Sequence, residues 1–289
     1  MRLPWSMCRA LSVVMAWLWR VLNARESRVA RRNFEIAFPD LSDRKKTELQ
    51  RRVMQSTALQ TMEMLRTWTH SPAENLARIR RIYGEEIYRA ARSSGKGTIV
   101  AAPHFGNWEL LNQWLAQQGP IAIVYRPGRS AILDAFLKQV RGIPHVLQVK
   151  AEASAVRQLF KVLNAGGTVG ILPDQQPKLG DGVFAPFFGV NALTMTLISR
   201  LARRTNATIV FGWCERCSNN FEFDLHIERA ESVVSSADPI EAASALNRGI
   251  ERIVKRDLTQ YQWTYKRYTL RPPEEGQMQN PYATIRHKH

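Results

Sequence analysis

Apolar and polar positions change their spacing along this chain, and the changes divide it. Residues 3–22 read LPWSMCRALSVVMAWLWRVL, with Ala10 to Trp19 apolar apart from Ser12. That run is about half of the roughly 20 residues that a spanning helix needs. No small-residue cleavage site follows; Arg25, Arg28, Arg31 and Arg32 do. At 100° per residue, Arg2, Arg9 and Arg20 fall within about 20° of each other on a helix. Trp5, Trp17 and Trp19 are residues that favour a membrane interface. The pattern predicts an amphipathic helix lying in the membrane surface, or a short tilted anchor. If it spans, the arginines after it hold the main domain on the cytoplasmic side.

Ser42 or Asp43 can cap a helix running through Leu49, Val53, Leu59 and Leu65. A further helical stretch covers about 73–92, and Ser93-Ser94-Gly95-Lys96-Gly97 then breaks the chain. Short apolar runs follow at Thr98–Ala102, Ile121–Tyr125, Val146–Val149, Thr168–Leu172 and Thr208–Trp213. They read as buried strands. Helix-length segments lie between them at 107–118, 130–141, 152–165 and 193–205. The alternation predicts an α/β fold with a mostly parallel central sheet covered by helices. Phe221, Phe223, Leu225 and Ile227 alternate with polar residues, as in a strand with one wet face, and 239–257 reads as a last helix. The organisation expected is a membrane-associating helix (1–25) and a main domain (26–272). That domain splits into a helical lead-in (26–95) and an α/β core (96–272). A loose tail (273–289) follows Pro272-Pro273.

Composition is that of an ordinary globular chain: 289 residues, 45% apolar and 23% charged. Charge changes the picture more. The net charge is +16, but it divides as +9 over 1–95, +3 over 96–249 and +4 over 250–289. An acidic partner or an anionic surface is implied for the N-terminal part. The near-balanced middle argues against nucleic acid as a partner, which would call for a concentrated basic face on the main domain. Three cysteines cannot staple a domain of this size, so a reducing compartment is expected.

Open parallel sheets place their sites beyond the carboxyl ends of the strands. After the first strand comes Pro103-His104-Phe105-Gly106-Asn107-Trp108-Glu109. A bend at Phe105-Gly106 could bring the Glu109 carboxylate onto the His104 ring. That contact would fix the tautomer and raise the basicity of a general base. Backbone N–H groups at the helix start could hold an oxyanion. After the second strand, Arg126 suits a phosphate or carboxylate. After the fourth, Asp174, Gln175 and Gln176 could orient substrate hydroxyls or hold Arg126. Cys214-Glu215-Arg216-Cys217 lacks a second ligand pair for zinc, and it ends a strand, where a redox pair would begin a helix. Gly95-Lys96-Gly97-Thr98 lacks the upstream glycine of a P-loop, and no G-x-S-x-G elbow is present. No acid pair with metal-ligand spacing backs Asp174, so no metal is expected.

His104-Phe105-Gly106-Asn107-Trp108-Glu109 resembles the H-x-x-x-x-D/E motif of the glycerolipid acyltransferase superfamily. Its H-F-G-N-W-E form is similar to the lipid A secondary acyltransferases, the lauroyl and myristoyl transferases of Gram-negative bacteria. Arg32-Asn33-Phe34 with Phe38-Pro39, Tyr125-Arg126-Pro127, Pro173-Asp174-Gln175 and Ala185-Pro186-Phe187-Phe188-Gly189 match in the same order. Gln262-Trp263-Thr264-Tyr265-Lys266-Arg267-Tyr268 resembles the terminal tryptophan motif, with Tyr265 where a histidine is usual. The resemblance covers about residues 20–270.

It implies transfer of a fatty acyl chain from acyl carrier protein to a hydroxyl of a lipid A precursor, on the cytoplasmic side of the inner membrane. His104 and Glu109 would be catalytic, and Asn107, Arg126, Asp174 and Gln175 would bind substrate. The carrier-protein thioester is itself the activated donor, so neither cofactor nor covalent enzyme intermediate is implied. The partners implied are the acidic carrier protein, the anionic lipid precursor and the membrane surface. Two other readings use the same residues. One is an acyltransferase for a lysophospholipid, glycerol phosphate or glycolipid; the aromatic H-F-G-N-W-E form and Trp263 speak against it. The other is a basic membrane-binding homologue without catalysis, against which the presence of His104, Glu109, Arg126 and Asp174 counts.

Overall fold

The computed structural model describes residues 3–125, 135–136, 139–140, 142, 145–150, 155–273 and 280–285. Arg126 and most of the helix expected over 130–141 lie outside the described residues.

The N-terminal third is helical. Helix α1 is Trp5–Val21, α2 is Arg25–Ala37 and α3 is Asp43–Thr69. Ser42, not Asp43, caps α3: its hydroxyl accepts from Lys45 N–H at 3.4 Å. Small residues Cys8, Ser12 and Ala16 bury one face of α1 against the rest of the chain, chiefly α3. The opposite face, including Met7, Leu11, Val14, Leu18 and Val21, is exposed. No helix among the described residues is long and apolar enough to cross a membrane.

The helical stretch expected over 73–92 is in fact a helix, a strand and a helix: α4 (Pro72–Leu76), β1 (Ile79–Tyr83) and α5 (Glu85–Ser93). Gly84 ends the strand with φ +76°, and a Cβ there would meet the Ile227 carbonyl oxygen at 2.0 Å. Only glycine tolerates that close approach.

The core alternates as the periodicity predicts. The elements are β2 (Thr98–Ala101), α6 (Trp108–Gln117), β3 (Ile121–Tyr125), β4 (Val146–Lys150), α7 (Ala155–Asn164) and β5 (Thr168–Ile171). A hairpin, β6 (Gly182–Phe187) and β7 (Val190–Met195), precedes α8 (Leu197–Thr205). Residues 193–195, expected to open that helix, close the hairpin instead. Phe188 and Gly189 make its two-residue turn, with φ +49° and +75°. Then come β8 (Thr208–Ser218), β9 (Glu222–Arg229) and α9 (Pro239–Val254).

Among the described residues the main sheet has seven strands in the order β1-β9-β8-β2-β5-β3-β4. Neighbours are parallel except β8 and β9. Strands β2 and β5 are buried along their whole length, which is why both read as unbroken apolar runs. Alternate β2 residues feed opposite faces. Ile99 and Ala101 join one core with Leu159, Ile198 and Ile250; Val100 and Ala102 join the other with Leu110, Leu111 and Leu225. Each fully buried aliphatic side chain contributes about 1.5–3 kcal/mol.

The tail departs from expectation. Residues 280–285 pack onto the domain, with Tyr282 and Ile285 buried. Tyr282 donates its hydroxyl proton to Asn33 Oδ1 and accepts from Tyr268 N–H at 3.2 Å. Arg32 Nε also donates to Pro281 O at 3.0 Å.

Candidate active site

The register of two neighbouring strands builds the site. Ala101 of β2 pairs with Ile171 of β5. Three residues beyond each stand His104 and Asp174. The His104 ring Nδ1 lies 2.8 Å from Asp174 Oδ1, and His104 N–H donates to Asp174 Oδ2 at 2.9 Å. Asp174 is buried, and His104 is 12% exposed. Burial pushes the Asp174 carboxyl up. The charge of His104 and the hydrogen bonds from its ring and its amide outweigh that, and the net shift is downward. An ionised Asp174 accepts from Nδ1–H, which leaves the Nε2 lone pair as the basic site. Nε2 faces the side-chain nitrogen of Gln175 at 3.2 Å, and that nitrogen also donates to Gln262 Oε1 at 3.3 Å. Trp108 meets the imidazole edge-on at 5.0 Å.

The carboxylate in contact with the ring is a different one from that expected. Glu109 is buried in the first turn of α6, and among the described residues the side-chain partners of the His104 ring are Asp174 and Gln175. The carboxylate on the ring comes from 70 positions downstream. Asn107 has a different job from the one expected. It is fully buried and caps α6, its Oδ1 accepting from Leu110 N–H at 3.0 Å while its Nδ2 donates to Thr67 Oγ1 at 3.2 Å. The helix-start amides expected to hold an oxyanion are largely spent. Gly106 N–H donates to Gln260 O, Asn107 N–H to Cys214 O and Leu110 N–H to Asn107.

The loop carrying His104 is clamped on two sides. Gln262 N–H donates to His104 O at 3.0 Å. Gly106 has φ +57°, and a Cβ there would stand 2.0 Å from the Cys214 carbonyl oxygen. Gln60 of α3 donates to Gly106 O. Beneath it, Arg216 is bidentate to Glu63, and its backbone bonds both ends of the Gln260 amide. The loop carrying Asp174 is held by Tyr265, whose hydroxyl accepts from Gln176 N–H at 3.0 Å. Tyr261 lies close to the Asp174 carboxylate; burial, and then that negative charge, raise its phenol well above the ordinary value.

A cavity of about 590 Å³ opens at His104 and Gln175. Its walls are mostly apolar, with Ile123, Leu159, Ile171, Leu172, Met195 and Leu197 among them. Asn112, Lys178, Asp181 and Arg200 add polar groups. The volume lies in the range of small-molecule sites, about 300–1,000 Å³. The composition suits an apolar chain with a polar reacting end.

Of the six residues singled out, His104, Asp174 and Gln175 come together, Asn107 and Glu109 are buried at the start of α6, and Arg126 lies outside the described residues. Sequence reasoning missed Tyr261, Gln60 and Gln260, which carry no spacing signal because they arrive from distant segments; Gln262 was legible only as part of the terminal tryptophan motif. The C-x-x-C pair is inert as a thiolate source: burial raises both thiols, Cys217 to about 12.

The family model for bacterial lipid A biosynthesis acyltransferases matches residues 1–269. The lipid A biosynthesis lauroyltransferase of Escherichia coli is 25% identical over 272 residues, 94% of this chain and 88% of that protein. The palmitoleoyltransferase of the same organism is 24% identical over 278 residues, covering 96% and 90% of the two chains. A lipid A biosynthesis acyltransferase of Haemophilus influenzae is 24% identical over 279 residues, covering 94% and 88%. With the match running through every element of the site, from the α2–α3 lead-in to Tyr265, this chain belongs to the bacterial lipid A biosynthesis acyltransferase family.

Proposed function

We propose that the protein transfers a fatty acyl chain from an acyl carrier protein thioester to a hydroxyl of a lipid A precursor, with His104 as general base and Asp174 as the carboxylate that orients it. One observation carries the reading: a histidine with an ionised partner on Nδ1 and its Nε2 at the mouth of an apolar cavity. Family membership supports the reaction class, and the relatives' names supply the lipid A acceptor.

An alcohol is a weak nucleophile at neutral pH, and a base at the attacking oxygen meets that need. The acceptor hydroxyl takes the place of the Gln175 amide at Nε2. As its oxygen forms the bond to the thioester carbonyl carbon, its proton passes to Nε2. Asp174 stabilises the imidazolium. The tetrahedral intermediate collapses, the C–S bond breaks, and the departing thiolate takes the proton back from Nε2. The thioester is already activated, so no group of the enzyme is acylated. Lys178 and Arg200 supply positive charge along the cavity for the anionic acceptor. Glu109 is buried in the first turn of α6, two residues past the Asn107 cap. Arg126 is proposed as an acceptor ligand on the resemblance alone. The exposed apolar face of α1 would rest in the cytoplasmic face of the inner membrane, peripherally.

The test is acyl transfer by purified protein, using a radiolabelled Kdo-bearing tetra-acylated precursor and a panel of acyl carrier proteins, beside His104→Ala. Product with the wild type and none with a folded mutant is expected. No product from any donor overturns the reaction, and full activity in a folded His104→Ala overturns the base.

A further inference from the structure

A second cleft, of about 520 Å³, opens between α1, α3 and the β8–β9 turn, and among the described residues it shares no lining residue with the catalytic cavity. The edge of α1 that borders it is seated firmly. Trp5 Nε1 donates to Asn219 O at 2.5 Å, and its ring lies 5.1 Å from that of Phe221.

Among the described residues three arginines line the cleft: Arg9 of α1, Arg52 of α3 and Arg216 of β8. Arg216 is committed to Glu63 and to the Ser56 hydroxyl. Arg9 and Arg52 take part in no ion pair with a carboxylate among the described residues. The acid that lines the cleft among the described residues, Asp257, is occupied: its carboxylate accepts from Thr259 N–H and Oγ1 and from Gln260 Nε2. The cleft therefore presents two uncompensated guanidinium groups from facing helices. Guanidinium is the side chain best shaped for phosphate. The outer face of the same α1 is apolar and exposed, with Leu11 at 47%, Val14 at 52% and Trp17 at 56%. Val13 is 59% exposed and lines the cleft itself. Cationic cleft and apolar helix face adjoin on one element, the complement of a molecule with an anionic head and an apolar body.

We propose that this cleft binds the phosphate headgroup of an anionic membrane phospholipid, with Arg9 and Arg52 as its ligands, at a site separate from the acceptor at His104. The inference rests on the reading of α1 as an interfacial helix. Bound there, a bilayer lipid would fix how the domain sits on the membrane rather than enter the reaction.

The test is co-sedimentation of the full chain with phosphatidylcholine vesicles, with and without phosphatidylglycerol. Wild type is compared with Arg9→Gln/Arg52→Gln and with an equally charge-depleted control, Arg89→Gln/Arg248→Gln, on α5 and α9. The thermal midpoint checks that each variant folds. The wild type is expected to prefer anionic vesicles. The Arg9/Arg52 variant is expected to lose that preference by about 10- to 30-fold in partition coefficient, from the contribution of two basic residues at such a surface. The control should keep it. An equal fall in both variants, or none in the first, overturns the site and leaves diffuse attraction. A wild type that takes neutral and anionic vesicles alike overturns the headgroup site but leaves the interfacial helix standing. A wild type that takes neither overturns both.

Discussion

His104 and Asp174 face each other because β2 and β5 are parallel and in register, Ala101 against Ile171. Each residue follows its strand by the same three steps. Hydrogen bonds from both the ring and the amide of His104 then hold the carboxylate at two points, so the histidine's main chain and side chain are oriented by one group.

Replacing that group by its amide tests the pairing. In Asp174→Asn the Nδ1–H loses an anionic acceptor, and an Asn amide can donate to Nδ1, which moves the proton to Nε2. The base is then lost with the ring in place, and kcat/KM should fall about 10²- to 10⁴-fold. Acid unfolding gives a second readout. The folded carboxyl titrates below its unfolded value, so its stabilisation is complete above about pH 3.9 and fades as pH falls through the lower, folded value. The difference in Tm between wild type and Asp174→Asn should narrow as the pH is taken from 5 to 3. A constant difference would mean that the carboxylate's charge is not what matters.

The carboxylate on the His104 ring is that of Asp174, so a Glu109 variant keeps the Nδ1 contact. In Glu109→Gln the midpoint of the pH profile of kcat/KM is expected to match the wild type, whatever the drop in its height. Asp174→Asn should displace it. Matching displacements in the two variants would return Glu109 to the ring.

The Arg216–Glu63 pair is buried beneath the site, Glu63 completely. Removing one partner strands a buried charge, so Glu63→Ala should cost about 3–5 kcal/mol in urea unfolding. The double variant Glu63→Leu/Arg216→Met, which strands none, should recover most of it. If the double variant is as unstable as the single, the pair stabilises by more than its own neutralisation.

Tyr282 links the tail to α2 and to the segment after Trp263. Tyr282→Phe leaves Asn33 Oδ1 and the Tyr268 amide without that hydroxyl, in a buried setting. A loss of about 1–3 kcal/mol is expected, read as a lower urea midpoint at unchanged m. An unaltered midpoint would mean that 280–285 adds nothing to the folded domain.

Strands β2, β3 and β5 were legible because parallel strands buried on both faces must be continuously apolar, whatever surrounds them. The first turn of α3 was legible from Ser42, because an N-cap acts within four residues. The position of His104 followed from its place at a strand end. Local rules fail where a contact is remote. β1 was hidden because it is a mostly exposed edge strand whose pairing partner, β9, lies about 140 residues later. The hairpin β6–β7 was hidden because its turn rests on a non-glycine residue, Phe188, in the left-handed region.

The sequence by itself determined the alternation of helix and strand, the basic amphipathic start, and the place of the histidine at a strand end, since period, charge and residue type are properties of neighbours in the chain. Only the tertiary structure decided which carboxylate serves that histidine. Glu109 is five residues away and Asp174 seventy, but a parallel sheet sets strand ends side by side, whereas a helix start carries its acid into the core. Distance along the chain then says little about distance in space, and strand register, a property of the fold as a whole, selects Asp174.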